Sequence, residues 1–217
     1  MESLTLNYEL VLEAQDRLRK RVRHTELISS RHFSQQLGYP LLFKCENLQT
    51  TGAFKLRGAM NFMTARDRSE LAQGVTAASA GNHAQGVAYA ADLLGVPAKI
   101  FMPESTPPQK VQATRDLGAD VVLTGANFDE SFAAAQADSN RHGTVFIHPF
   151  DDPLVMAGQG TIGLEILKDL PDIANLLVPI GGGGLLAGIA TAIKEHNPQV
   201  RIIGVESAAA PCMYRAV

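Results

Sequence analysis

The sequence predicts an α/β protein, with parallel strands covered by helices on both faces, and two observations carry that prediction. Short apolar runs alternate along the chain with segments of helical length and composition. The apolar runs are continuous, without the every-other-residue polarity of a half-solvated strand, which is the pattern of strands buried on both faces. At 217 residues the chain can bury a sizeable core.

Taken in order, Val11, Ala14, Leu18 and Val22 recur at helical spacing and predict an amphipathic helix over about 7–22. A second helix is expected over 29–37, stopped by Gly38. Strands are expected at 41–46 ("LLFKCE"), 74–79, 98–103, 119–125, 144–150 ("TVFIHPF"), 175–181 and 201–207. Between them lie the helical segments "NHAQGVAYAADLLG", "PPQKVQATRDLG", "NFDESFAAAQADSNRHG" and "GLLAGIATAIKEH", with a further helix expected to begin near Lys55.

Composition excludes several classes. Apolar residues make up 46% and charged residues 19%, with no tryptophan and no low-complexity tract, which rules out a disordered chain or a coiled coil. A net charge of -3 offers no electrostatic footprint for nucleic acid or an anionic membrane. The basic cluster Arg17, Arg19, Lys20, Arg21 and Arg23 reads as a solvated helix face. The start has no signal-peptide pattern and no run of 18 apolar residues occurs, so a cytoplasmic location is expected. Cys45 and Cys212 have no metal-type spacing and are expected to be buried small hydrophobes.

In parallel sheets ligands bind beyond the carboxyl ends of the strands, which directs attention to three loops. In "PIGGGGLLAG" an apolar run enters Gly181, Gly182, Gly183 and Gly184 and then a helix. Unobstructed backbone N–H groups and a helix N-terminus make this a phosphate cradle, and without a following Gly-Lys-Ser/Thr it is not a nucleotide P-loop. Gly182-x-Gly184-x-x-Ala187 also satisfies the dinucleotide fingerprint, with Glu206 at the end of the next strand, so a nicotinamide-dependent oxidoreductase stays open here. The second loop, "AASAGNHAQG", presents Ser79, Asn82 and free amides to a small anion, with Asn82 a candidate helix cap and His83 either a general base or structural. The third is "TGAFKLRGA". Lys55 falls in the first turn of a helix between Phe54 and Leu56, where a cation is disfavoured and a neutral, nucleophilic amine is favoured. Arg57 and Lys44 read as surface charges.

Together "TGAFKLRGA", "SAGNHAQG" and "PIGGGGLLAG" resemble the pyridoxal-phosphate enzymes of the threonine and serine dehydratase family, with the tryptophan-synthase-β-like fold type II. The likeness continues through "LGVPAKIFMP", "LGADVVLTGANFDE" and "FDDPLVMAGQGTIGLEIL", nearly the whole chain. It implies pyridoxal 5'-phosphate as cofactor, with Lys55 the Schiff-base lysine, Phe54 packed beside the ring, Asn82 at the ring 3'-oxygen, and Gly181, Gly182, Gly183, Gly184 and Leu185 around the phosphate. Displaced by an incoming amino acid, Lys55 would act as base at Cα, and loss of the β-hydroxyl would lead to a 2-oxo acid and ammonia: 2-oxobutanoate from threonine, pyruvate from serine. The loop Ser79, Ala80, Gly81, Asn82 and His83 would hold the substrate. Serine racemases of this family carry a second catalytic serine where this chain has Ala80, which favours elimination.

Glu206 falls where some relatives bind a divalent or monovalent cation. The resemblance further implies a small domain over 46–150 and a large cofactor-binding domain over 1–45 and 151–217, incomplete because the family's catalytic unit continues beyond Val217. Weak cofactor binding and little turnover without a completing partner, an exposed sheet edge and a homo-oligomer are the corresponding expectations. Other lyases, cysteine synthases and a non-catalytic fragment remain alternatives.

Overall fold

The computed structural model describes residues 4–216; residues 1–3 and 217, the ends of the expected large domain, lie outside it. Helix α1 spans Tyr8–Leu18. Its N-terminus is closed by the Asn7 side chain, which accepts from the Leu10 N–H at 2.9 Å, and Leu10, Val11, Ala14 and Leu18 form its buried stripe. Strands β1 (Leu27–Ser29) and β2 (Leu42–Lys44) flank α2 (Arg31–Leu37), which Ser30 caps and Gly38 ends at φ +75. A short 3₁₀ turn over Glu46–Leu48 leads to α3, Lys55–Thr64.

The central unit consists of β3 (Val75–Ala78), α4 (Asn82–Leu94), β4 (Ala98–Met102), α5 (Pro108–Arg115), β5 (Asp120–Leu123), α6 (Phe128–His142) and β6 (Val145–Phe146). Its sheet is wholly parallel in the order β5-β4-β3-β6. The last third contains α7 (Pro153–Asp169), β7 (Asn175–Pro179), α8 (Gly184–His196), β8 (Arg201–Val205) and the short α9 (Cys212–Ala216), with β7 and β8 paired in parallel.

The α/β class with parallel sheets flanked by helices is as the sequence predicts, with three local differences. The run 41–46 belongs to no parallel sheet: β2 pairs antiparallel with the unanticipated β1, Ile28 opposite Phe43. The run 144–150 is a strand only at Val145–Phe146, because beyond it Pro149 has no N–H to give a ladder. Helix α7 is absent from the periodic segments of the sequence. It is buried on almost every side, from Leu154 through Leu167, so it carries no polar face to produce a period.

Three close helix contacts set the positions of the loops. A Cβ on Gly86 of α4 would lie 3.0 Å from Leu56 N, and one on Gly158 of α7 2.7 Å from Gly58 Cα of α3. A Cβ on Gly188 of α8 would come within 2.7 Å of Gly160 N of α7. Glycine therefore lets α4, α3, α7 and α8 approach one another backbone to backbone, each interface bearing on the next. Around them Leu56, Met60, Phe62 and Met63 of α3 are fully buried with Val11, Leu18 and Val155 in one core, each such side chain stabilising the fold by about 1.5–3 kcal/mol.

On β7 and β8, Leu177 and Val205 remain 58% and 47% exposed. No helix among the described residues is long and apolar enough to cross a membrane.

Candidate active site

Lys55 opens α3 directly after Phe54, which supplies no side-chain cap. Its Nζ donates to the Pro149 carbonyl at 2.5 Å and lies 5.3 Å from the centroid of the Phe54 ring. Removal from water disfavours the ammonium and pulls the amine's pKa down to about 8. The amine is thus substantially neutral at mildly alkaline pH, the form required of a nucleophile.

Gly181 to Gly184 leave β7 and enter α8, with Gly183 at φ +84 as its cap. Among the described residues, the backbone N–H groups from Gly181 to Leu185 meet no protein acceptor. A Cβ on Gly182 would strike the Phe150 ring and one on Gly184 the Phe150 carbonyl oxygen, whereas one on Gly181 would meet nothing within 4 Å. Free amides, a helix N-terminus and open space at Gly181 fit a phosphate group. Phe54 and Leu185 pack against the same small core beneath this turn.

Ser79 and Ala80 come directly after β3, and the Ser79 hydroxyl accepts from the Gly81 N–H at 3.1 Å. Gly81, not Asn82, occupies the cap position of α4. Asn82 is the first helical residue, and no group among the described residues engages its side-chain amide. The N–H groups of Ala80, Asn82 and His83 likewise meet no protein acceptor. The His83 side chain turns inward, 2% exposed, with Nε2 at 3.0 Å from the Ile147 carbonyl.

The segment Ile147–Phe150 joins these loops, and the sequence alone did not single it out. Its Pro149 carbonyl holds Lys55, its Ile147 carbonyl holds His83, and Phe150 abuts the glycine turn. The rule that selected the other loops, inspection of the residues just past each strand, also points here. An expected strand running to residue 150 concealed it.

A charged cluster lies immediately behind Lys55. Arg57, 0% exposed, donates through Nε and Nη2 to Glu46 at 2.9 and 2.8 Å and through Nη1 and Nη2 to Glu165 at 2.6 and 2.9 Å. Lys44 Nζ lies 2.7 Å from Glu165. The reading of Arg57 and Lys44 as surface charges is therefore corrected: the paired carboxylates, Glu46 nearby and Glu165 108 residues from Arg57, make their burial tolerable. The cluster ties α3 to α7 and to the segment after β2. A cleft of about 370 Å³ lined by His24, Arg57, Glu165 and Lys168 borders it; neither Lys55 nor any residue of the 79–83 loop or the glycine turn lines it.

Glu206 does not present a free carboxylate to a cation. Its oxygens accept from the Met213 and Tyr214 N–H groups, both at 2.8 Å, so it caps α9. Among the described residues no group of three His, Cys, Asp or Glu could hold a metal ion. The cysteines are also corrected, Cys45 being half-buried and Cys212 exposed.

The residues present fit pyridoxal phosphate: a buried amine of lowered pKa, an amide-lined turn for the phosphate, and unpartnered buried polar atoms on Thr51 and His83 beside the loops that would face it. Comparison with known proteins agrees. The family model described as pyridoxal-phosphate dependent enzyme matches residues 18–217. The chain is 73% identical over 206 residues to the L-threonine ammonia-lyase of Geobacter sulfurreducens, covering 95% of this chain and 51% of that protein. It therefore spans about half the length of the curated relative it matches. Among solved structures, processed threonine deaminase isoform 2 from Solanum lycopersicum superimposes with a TM-score of 0.91 at 45% identity, covering 95% of this chain and 60% of that one. Maize serine racemase gives 0.91 at 38% identity, with 94% and 62% covered. Fold, loops and comparisons converge, and the chain belongs to the family of pyridoxal-phosphate-dependent enzymes.

Proposed function

We propose that this chain carries the reactive lysine and phosphate cradle of a dehydratase that converts L-threonine, and L-serine, to 2-oxobutanoate or pyruvate plus ammonia. The observation that supports this most directly is the Lys55 amine, buried, lowered in pKa to about 8 and held through Pro149–Phe150 beside the tetraglycine turn.

Lys55 is the residue whose amine would hold the cofactor's aldehyde carbon, and its Nζ would take the substrate's Cα proton. Bound pyridoxal phosphate supplies the electron sink that makes this proton acidic and allows the β-hydroxyl to leave. The Gly181–Leu185 amides would hold the phosphate by hydrogen bonds reinforced by the α8 dipole. Phe54 would lie beside the ring, Asn82 would donate to its 3'-oxygen, and the amides of Ala80, Asn82 and His83, with Ser79 and Gly81, would receive the substrate carboxylate.

Ala80 offers no hydroxyl to reprotonate Cα from the opposite face, which favours elimination over the racemisation named for the maize protein. The parallel sheet drawn entirely from 75–146 supports a small domain over 46–150 and a larger one from 1–45 and 151–217. We further infer a cytoplasmic homo-oligomer.

The test is a visible spectrum with added pyridoxal phosphate, then borohydride reduction and peptide mapping, then addition of L-threonine or L-serine. A reduced adduct on Lys55 and formation of 2-oxo acid are expected. An adduct confined to other lysines, or D-serine as the main product, would sink the proposal.

A further inference from the structure

The hydrogen bond from His83 determines its tautomer. A carbonyl oxygen only accepts, so Nε2 carries the proton toward Ile147 and Nδ1 is the bare nitrogen. No group among the described residues donates to Nδ1. Burial, aided by the nearby Lys55 and His148, drives the imidazole pKa down to about 3, so the ring stays neutral wherever the protein is folded near neutrality. The Ile147 carbonyl opposes that shift, favouring the cation.

Ile147 also begins the segment that reaches Lys55. Its N–H is the last to pair with the central sheet, donating to Thr76 O at 2.8 Å. Beyond it Pro149 has no donor, and the Phe150 and Asp151 N–H groups both turn back to His148 Nδ1, at 3.3 and 2.7 Å. The position of the Pro149 carbonyl therefore depends on side chains that grip either end of a short turn.

We propose that His83 is a positioning residue: by donating to the Ile147 carbonyl from the start of α4, it fixes the 147–150 turn and, through the Pro149 carbonyl, the place of the Lys55 amine. The same turn carries Phe150 against Gly182 and Gly184, so one imidazole from the second loop orders contacts to the other two. His83 acts on the geometry of the amine, and the catalytic meaning of that geometry rests on Lys55 being the cofactor's lysine.

Competitive acetylation with acetic anhydride, read by mass spectrometry across pH, reports the pKa and accessibility of Lys55 without any cofactor. In the wild-type chain and in His83→Gln, whose amide nitrogen replaces the Nε2 donor, Lys55 is expected to titrate near the lowered value of about 8. In His83→Leu the turn loses its anchor, water reaches the ammonium, and the apparent pKa rises by about one unit or more. A cooperatively folded His83→Leu protein with the wild-type Lys55 profile overturns the inference, as does His83→Gln behaving like His83→Leu. Should His83→Leu fail to fold, His83→Asn, polar but too short to reach Ile147, takes its place, and a wild-type profile there overturns it equally. Borohydride trapping on the same proteins separates the two ideas: no adduct on wild-type Lys55 with the acetylation difference intact refutes the dehydratase reading alone.

Discussion

Replacing Gly158 with alanine would put a methyl carbon 2.6 Å from the Arg57 carbonyl oxygen and 2.7 Å from Gly58 Cα. Non-bonded carbons rest at about 3.5–4.0 Å, so α3 and α7 would have to part by roughly 1 Å. Both obstructing atoms are backbone, which leaves no rotamer change to absorb the methyl. Higher helix propensity returns up to about 1 kcal/mol, whereas overpacking a tight interface costs about 1–3 kcal/mol. Loosening the Gly58 N–H bond to Gln159 Oε1, 3.2 Å in the structure, adds to the loss. The net expectation is destabilisation by about 1–2 kcal/mol.

The functional effect should be larger than the stability effect, because α3 begins at Lys55 and α7 begins just after the turn that holds it. A misplacement near 1 Å at a reacting group can lower rate by about 100-fold. Urea unfolding measures the first quantity, and the rate of borohydride-trapped adduct formation at Lys55 measures the second. A Gly158→Ala chain as stable as wild type and modified at the wild-type rate would refute the idea that glycine-mediated helix approach sets the lysine's position.

Gly181→Ala is the complementary change: its Cβ meets nothing within 4 Å, so stability should stay within about 0.5 kcal/mol while titration shows weakened binding of pyridoxal phosphate and of inorganic phosphate. Glu165→Gln leaves buried Arg57 with one carboxylate partner and should cost about 3 kcal/mol or more in denaturant unfolding. The depressed pKa of Lys55 gives a pH signature. Below about 8 both folded and unfolded chains carry its proton and the full burial penalty applies. Between that value and about 10.4 the unfolded chain binds more protons, so stability rises with pH; Lys55→Met should flatten this rise in pH-dependent melts. His83 acts at the other end: stability falls as pH drops from about 6.5 toward its folded value of about 3, and His83→Gln should remove that component from acid unfolding curves.

Much of the site was legible in the sequence because its chemistry is local. A tetraglycine stretch between a strand and a helix already specifies unobstructed amides, and a lysine at a helix start between apolar neighbours already specifies a disfavoured cation. The end of α2 at Gly38 was legible for the same reason, since a left-handed residue there needs no distant partner. Failures fell where the deciding partner is far along the chain. Arg57 looked like surface charge until Glu165, 108 residues away, was brought to it. Helix α7 showed no period because neighbours cover nearly all of it, and the 147–150 turn looked like strand because strand ends are decided by pairing.

The chain's own residues thus determined the fold class, the disfavoured cation at Lys55, the unobstructed glycine turn and the free amides after β3, since each arises from backbone freedom, helix dipoles and side-chain chemistry within a few positions. Only the tertiary structure decided how the loops meet. That required glycine contacts between α4, α3, α7 and α8, ion pairs across long separations, and a proline carbonyl placed at the lysine, all interactions whose energy depends on distances that chain order does not encode.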